Sequence, residues 1–224
     1  MHTRLVVQTT LWLAVMGAIL FVAAGDGRWP QGWIFLADSG VCSFAVGFWL
    51  LRYDPALLAS RLSSPVQQRD QMPWDRVFMR VVMIVFIGWI VLIGLDARRF
   101  AWSHVPLWVQ VIGAILIPLG MFLVAQVFRF NTFAAPQVRI QAAQHVITDG
   151  PYRIVRHPMY AASILYLLGM PLLLGSWWGV AMVPLMVAGL VPRVVGEERM
   201  LRRELAGYDD YAKRVRYRLL PGIW

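Results

Sequence analysis

Residues 150–198 read GPYRIVRHPMYAASILYLLGMPLLLGSWWGVAMVPLMVAGLVPRVVGEE. A turn-forming basic segment and two adjacent acids, Glu197 and Glu198, bracket an apolar run from 158 to 192. A helix rises about 1.5 Å per residue, so roughly 20 residues cross 30 Å of hydrocarbon. The run is too long for one crossing, and Gly175, Ser176, Trp177 and Trp178 interrupt its middle. It is predicted to form a hairpin with arms of about 17 residues, the lower limit for a span, which either crosses twice or dips in and returns. In both cases its ends emerge on one face, bringing the 129–157 loop beside the chain that begins near Arg193.

Outside the hairpin, apolar windows fall at about 5–24, 31–51, 77–95 and 105–128. With 59% hydrophobic residues, 15% charged residues and 11 Trp in 224 positions, the composition excludes an ordinary soluble domain. The expected fold is all-α: a polytopic membrane helix bundle of about five to six spans, the last two a short hairpin, with a cytoplasmic C-terminal helix. Residues 1–128 supply four spans. Residues 129–224 hold the loop, hairpin and tail of a catalytic region. The first apolar window exceeds the 7–15 residues of a cleaved signal and reads as a retained span. Cys42, the single cysteine, falls in the second span. No zinc-ligand spacing or Gly-rich phosphate loop occurs, so no metal site is expected.

Charge orients the bundle, because Lys and Arg collect on the cytoplasmic side of spans. Six crossings put 18 of the 21 basic residues on one face: Arg4, Arg52, Arg61, Arg69, Arg76, Arg80, the four Arg between 129 and 156, and eight residues from Arg193 to Arg218. Arg28, Arg98 and Arg99 fall opposite. Both termini and both motif segments are therefore expected in the cytoplasm. The net charge of +9 then belongs beside anionic headgroups and calls for no nucleic acid partner. Twenty Arg against one Lys suit a GC-rich prokaryotic genome and its cytoplasmic membrane.

The loop beginning at Arg129 is too polar for a span, with Asn131, Thr132, Gln137, Gln141, Gln144 and His145, while Phe128, Phe130, Phe133 and Val138 hold it at the interface. Gly150-Pro151 predicts a turn, since Pro restricts the residue before it and Gly tolerates the result. Pro158 suits the first turn of a helix. His157 would then stand at a helix N-terminus facing the interface, beside Arg153, Arg156 and Tyr160. Taken singly, these are ordinary positive-inside and belt residues. Together, unpaired N–H groups, a His and two Arg suit a carboxylate or phosphate.

On the other flank, Arg193 and Glu197 stand four apart on one helix face, where an ordinary intrahelical ion pair is the plain expectation. The segment from Arg193 reads as an amphipathic helix ending near Arg218, with Arg202, Arg203, Lys213, Arg214, Arg216 and Arg218 resting on anionic lipid. Gly196, directly before the acids, is expected to loosen that helix and with it the orientation of Arg193. Asp38 lies about seven residues into the second span, roughly 10 Å along the helix, where an acid is costly and stands as a functional candidate or a packing contact.

Arg156-His157-Pro158-Met159-Tyr160, followed by a hydrophobic stretch and Glu197-Glu198, resembles the signature of the isoprenylcysteine carboxyl methyltransferase family and its phospholipid methyltransferase relatives. The preceding His145-Val146-Ile147-Thr148-Asp149-Gly150-Pro151-Tyr152 and the closing Tyr208, Tyr211, Lys213-Arg214-Val215 and Leu220-Pro221 are also similar to its bacterial members. The resemblance covers about residues 129–221 and implies an integral membrane enzyme that takes methyl from S-adenosylmethionine. By resemblance, Gly150, Pro151, Tyr152, Arg156, His157, Pro158, Tyr160 and Glu198 would bind that cofactor. Arg193 and Glu197 would be catalytic, facing a hydrophobic or lipidated acceptor.

A carboxylate acceptor is already ionised near pH 7 and needs alignment rather than a base, so O-methylation of a group such as an isoprenylcysteine is the leading expectation. An amine acceptor, as in phosphatidylethanolamine N-methylation, must first lose a proton. A membrane reductase using NADPH, or a transporter or assembly factor dependent on Asp38, are the readings from other classes.

Overall fold

The computed structural model describes residues 1–63, 72–136, 138, 140–141 and 143–224, so Arg69, Gln137 and Arg139 lie outside the described residues. All regular elements among these are helical. α1 (His2–Ala24) ends at Gly25, whose φ of 67° takes the left-handed cap that favours glycine. α2 (Pro30–Tyr53) and α3 (Pro55–Arg61) both start with proline at the first turn, and the Asp54 carboxylate caps α3 through the Leu57 N–H at 2.9 Å. α4 (Pro73–Gly94) runs into a π-helical turn, Leu95–Arg99. After α5 (Leu107–Phe130) come an irregular segment and a 3-10 turn, Gly150–Arg153, then α6 (Pro158–Leu174), α7 (Trp177–Glu204) and α8 (Tyr208–Arg214).

Among the described residues, five helices are long and apolar enough to cross a membrane: α1, α2, α4 with its π turn, α5 and α7. Val22, Val41, Ile84, Leu107 and Trp108 are all exposed, which suits hydrocarbon. The hairpin is present but unequal. α6 has 17 residues, and α7 has 28, running unbroken through Pro192, Arg193 and Gly196. The apolar run stops at 192, yet backbone hydrogen bonding has no reason to stop there, and membrane helices tolerate Pro and Gly where neighbours support them. Gly196 does not loosen the helix. A Cβ there would stand 2.8 Å from the Trp74 ring, so the glycine lets the start of α4 lie against α7. The expected amphipathic helix to Arg218 is also revised: α7 ends at Glu204, Gly207 turns the chain at φ 83°, α8 spans 208–214, and the remainder is not helical.

α5 and α6 touch backbone to backbone. A Cβ on Gly113 would meet the Leu173 nitrogen at 2.3 Å, and one on Gly169 the Gly113 carbonyl at 2.8 Å, the small-residue packing typical of membrane helices. Phe35, Trp89, Ile93, Ile117, Met170 and Leu174 fill the centre of the bundle, and the Trp89 indole donates to the Gly179 carbonyl at 2.9 Å. At the face opposite the motifs, Asp96 in the π turn accepts from Ser103 Oγ at 2.7 Å and Ser176 Oγ at 2.6 Å. Ser176 in turn caps α7 at the Gly179 N–H. The hairpin turn is thereby tied to the end of α4.

Candidate functional site

The alternation of six long helices gathers the ends of α2, α5 and α7, the starts of α4 and α6, and the C-terminal tail at one face. His157 is the N-cap residue of α6 with Pro158 in its first turn, in keeping with the sequence expectation. It does not face the interface: His157 is 6% exposed, Arg156 7% and Glu198 3%. The C-terminal tail covers them. Arg156 N–H donates to the Tyr217 carbonyl and His157 N–H to the Arg218 carbonyl, each at 2.9 Å, so the tail lies as a strap across them. The Arg156 guanidinium reaches the Val215 and Arg216 carbonyls at 2.8 and 2.9 Å.

Glu198 locks this arrangement. Its Oε1 accepts from Arg156 Nε at 2.6 Å and lies 3.3 Å from His157 Nε2, while Oε2 accepts from Arg218 Nε at 3.1 Å. Arg218 also lies over the Trp224 ring at 4.9 Å. Arg218 thus pairs with protein, and at the surface Arg202 pairs with Asp209 and Lys213 with Asp210.

Glu197 points elsewhere, because successive residues of a helix are about 100° apart. It accepts from the Tyr160 hydroxyl at 2.9 Å, and the Tyr160 ring stacks with His157 at 5.7 Å. The intrahelical Arg193–Glu197 pair does not form. Arg193 Nε stands 3.2 Å from Asp75 Oδ1, its Nη1 donates to Met79 Sδ at 2.9 Å, and its Nη2 donates to the Pro136 carbonyl. Its guanidinium lies 5.7 Å from the Phe78 ring and 5.9 Å from that of Tyr160.

Of the residues singled out in the sequence, Tyr152, Arg156, His157, Pro158, Tyr160, Arg193 and Glu197 line one cleft, with Asn131, Phe133, Gln144, His145 and Tyr208 on its other walls. Gly150, Pro151 and Glu198 are not on its wall. Gly150 adopts φ 57°, and a Cβ there would meet the Phe130 ring at 2.4 Å, so this turn serves to seat Tyr152. Tyr152 accepts from the Asn131 amide at 2.6 Å, and its carbonyl accepts from the Tyr211 hydroxyl at 2.9 Å. Burial above all, with the charge of Glu197 adding, pushes the Tyr152 phenol up to about 12 against the easing hydrogen bond from Asn131. Burial likewise raises Tyr208 and Tyr211, so the aromatic walls stay neutral phenols.

Sequence reasoning missed Asp75 and undervalued Arg61. Asp75, fully buried, reads locally as an acid that complements the dipole in a first helical turn. Arg61 reads as an interfacial cation. In the fold it lies over the Phe128 ring at 4.6 Å and donates to the Ala134 carbonyl at 2.9 Å, fastening α3 to the segment after α5. Asp38 has Cys42 Sγ at 3.7 Å from one oxygen, its neighbour Ser39 bonds Tyr166 at 3.3 Å, and none of these four residues lines the cleft. Among the described residues, no group of three or more His, Cys, Asp and Glu side chains could hold a metal ion.

Residues 108–206 match the model of the phospholipid methyltransferase family, a span from the start of α5 to just past α7 that includes the His157 and Glu197-Glu198 motifs. Nickel-cobalt-cadmium resistance protein NccN of Alcaligenes xylosoxydans xylosoxydans is 29% identical over 127 residues, 56% of this chain and 57% of that protein. Cobalt-zinc-cadmium resistance protein CzcN of Cupriavidus metallidurans is 28% identical over 105 residues, 46% of this chain and 49% of that protein. The chain thus spans about half the length of these curated relatives. The solved structure of the eukaryotic intramembrane Ras methyltransferase ICMT (isoprenylcysteine carboxyl methyltransferase) shares the fold, with a TM-score of 0.55 at 16% identity over 96% of this chain and 75% of that one.

Proposed function

We propose, from the match of residues 108–206 to the phospholipid methyltransferase family model, that the chain is an integral membrane methyltransferase that uses S-adenosylmethionine on a hydrophobic acceptor. The observation that carries this reading is the cleft in which Glu197 of α7 is held by Tyr160 between aromatic walls. The donor set fits the cofactor. Its cationic groups suit Glu197 and the faces of Tyr152, Tyr160 and Tyr208, and its polar nucleoside suits Asn131, Gln144 and Phe133. The cleft encloses about 100 Å³, below the ~300–1,000 Å³ of typical ligand pockets, so this reading requires the cleft to widen for a nucleoside-sized occupant.

Bound there, the cofactor supplies an electrophilic methyl group. The chain's residues position and shield. Glu198 holds Arg156, His157 and the strap, and His157 in turn stacks on Tyr160. Transfer to a carboxylate, as on an isoprenylcysteine, needs no base, and Arg193 on the cleft wall is the residue to orient it. A second reading, N-methylation of a phospholipid amine, is favoured by the Asp75–Arg193 pair. That pair neutralises the guanidinium and leaves Glu197 as the acid facing the cleft, able to take the amine's proton. The excess of basic residues on the motif face supports a cytoplasmic site.

The test is direct binding of S-adenosylmethionine to the purified protein, with Glu197→Gln and Tyr160→Phe as variants. Both are expected to lose affinity at least tenfold while melting within a few degrees of the parent. Absence of binding by the parent, or full affinity in both variants, refutes the reading. Base treatment of the labelled product separates the two acceptors, since a methyl ester is hydrolysed and an N-methyl group is not.

A further inference from the structure

A second, larger hollow of about 870 Å³ lies beside the cleft, between the last turns of α2 and α5. Trp49 and Tyr53 of α2 face Phe122, Gln126 and Arg129 of α5 across it. Phe133, His145 and Ile147 line both this groove and the cleft. The Phe133 and His145 rings meet edge to face at 5.3 Å and 87°, and with Ile147 they form the partition between the two spaces. We propose that this groove seats the methyl acceptor, taking the apolar chain of a membrane amphiphile whose anionic group meets Arg129 and whose reactive end reaches the Phe133–His145 partition. The proposal rests on the methyltransferase reading and adds where the acceptor lies and what charge it carries.

Three observations support that occupant. From Phe130 inward to Phe122, the α5 wall runs eight residues, about 12 Å, along the helix, a depth suited to an alkyl or isoprenoid chain. Tyr53 and Phe122 are 71% and 57% exposed, so the groove is open on its flank rather than sealed in the bundle. Trp and Tyr at this level match the headgroup boundary, where an amphiphile's polar end resides. The charge at the rim is positive and uncommitted. Arg129 has no protein partner among the described residues, whereas Asp54, the acid on the same wall, is engaged by the Leu57 N–H of α3 and by the Thr132 hydroxyl. The groove has the size of typical ligand sites, which the cleft alone lacks.

The test uses full-length protein in vesicles of phosphatidylethanolamine and phosphatidylglycerol, doped with phosphatidylglycerol carrying a diazirine in its acyl chain. Photolysis and peptide mapping are expected to place adducts on Trp49, Tyr53, Phe122 or Gln126, with a yield at least fivefold lower in Arg129→Glu. In parallel, labelled S-adenosylmethionine and a total membrane-lipid extract measure methyl incorporation. Ala125→Trp, which fills the groove, is expected to cut incorporation at least tenfold with cofactor affinity within twofold of the parent. Arg129→Glu, an exposed change that spares the fold, is expected to cut it about fivefold. Adducts confined to other helices, or undiminished incorporation in both variants, overturn the proposal. Adducts in the groove with undiminished incorporation also overturn it, marking a resident lipid. A parent protein that binds no cofactor removes the methyltransferase reading instead, and the photolysis arm then decides whether the groove holds a lipid chain.

Discussion

The two ends of the bundle hold buried carboxylates in opposite ways. At the motif end, Asp75 and Glu198 face guanidinium groups, Glu198 with Arg156 and Arg218 and Asp75 with Arg193. At the other end, Asp96 is equally buried but is held by two serine hydroxyls and the Trp178 N–H, and the ion pair there, Asp26–Arg98, lies at the surface. A buried charge pair is costly to assemble and far costlier to halve, because the remaining partner cannot return to water. A carboxylate bonded to hydroxyls leaves no charge behind when removed. The motif end is therefore built around charges that must stay, and the far end around a joint.

Glu198→Ala is expected to have the largest effect, since it strands Arg156, His157 and Arg218 at once. Breaking a buried pair costs about 3–5 kcal/mol, and here the strap that covers His157 should also detach. Detergent-solubilised protein should unfold earlier and become cleavable within 215–224 under limited proteolysis. A strap that stays protected would mean that the backbone bonds from Arg156 and His157, rather than the carboxylate, hold it.

Asp75→Asn comes next. Arg193 keeps the Pro136 carbonyl and Met79 sulfur but loses its counter-charge, so a loss near the lower end of the same range, about 3 kcal/mol, is expected. The double variant Asp75→Asn with Arg193→Met should be more stable than Asp75→Asn alone, because no charge is then left unpaired. Additive losses would place Asp75 outside any coupling with Arg193.

Asp96→Ala sharpens the contrast from the other end. Losing the acceptor for Ser103 and Ser176 is expected to cost about 1–3 kcal/mol, with cofactor affinity unchanged, because the joint lies at the opposite face from the cleft. A loss as large as that of Glu198→Ala would erase the distinction between the two ends.

Much of this contrast was legible in the chain, but unevenly. The apolar windows gave the helices, since a membrane span is a local property of composition and length. Gly175 and Ser176 marked the hairpin turn, and Pro158 placed His157 at the start of α6. The motif pair brought His157, Tyr160, Arg193 and Glu197 together, and the divergence of Glu197 from Glu198 follows from 100° per residue. What stayed hidden was partnership at a distance. Asp75 meets Arg193 across more than a hundred residues, and nothing near Asp75 distinguishes it from a helix-start acid. Arg218 reads as one more basic residue in a basic tail, and only the folded strap carries it to Glu198. Gly196 was misread because helix propensity weighs its flexibility and not the Trp74 ring that occupies its missing side chain.

The smallest effect is expected at Asp26→Asn. The Asp26 carboxyl is held below its ordinary value, first by the Arg28 N–H at 2.8 Å and then by Arg98, whose Nε donates at 2.8 Å. A lowered pKa stabilises the fold while the group is ionised, so whatever this pair contributes is present above the ordinary carboxylate pKa near 4 and is lost as pH falls below it. Because the pair stands in water, salt screens it and ordering two side chains offsets its attraction. Melting of Asp26→Asn should therefore match the parent at pH 7 in moderate salt. Any difference at low salt should shrink as the pH is lowered through the carboxylate range. A large loss at pH 7 would mean that the loop between α1 and α2 is held as firmly as the motif end, and that paired charge is no special property of the face carrying the cleft.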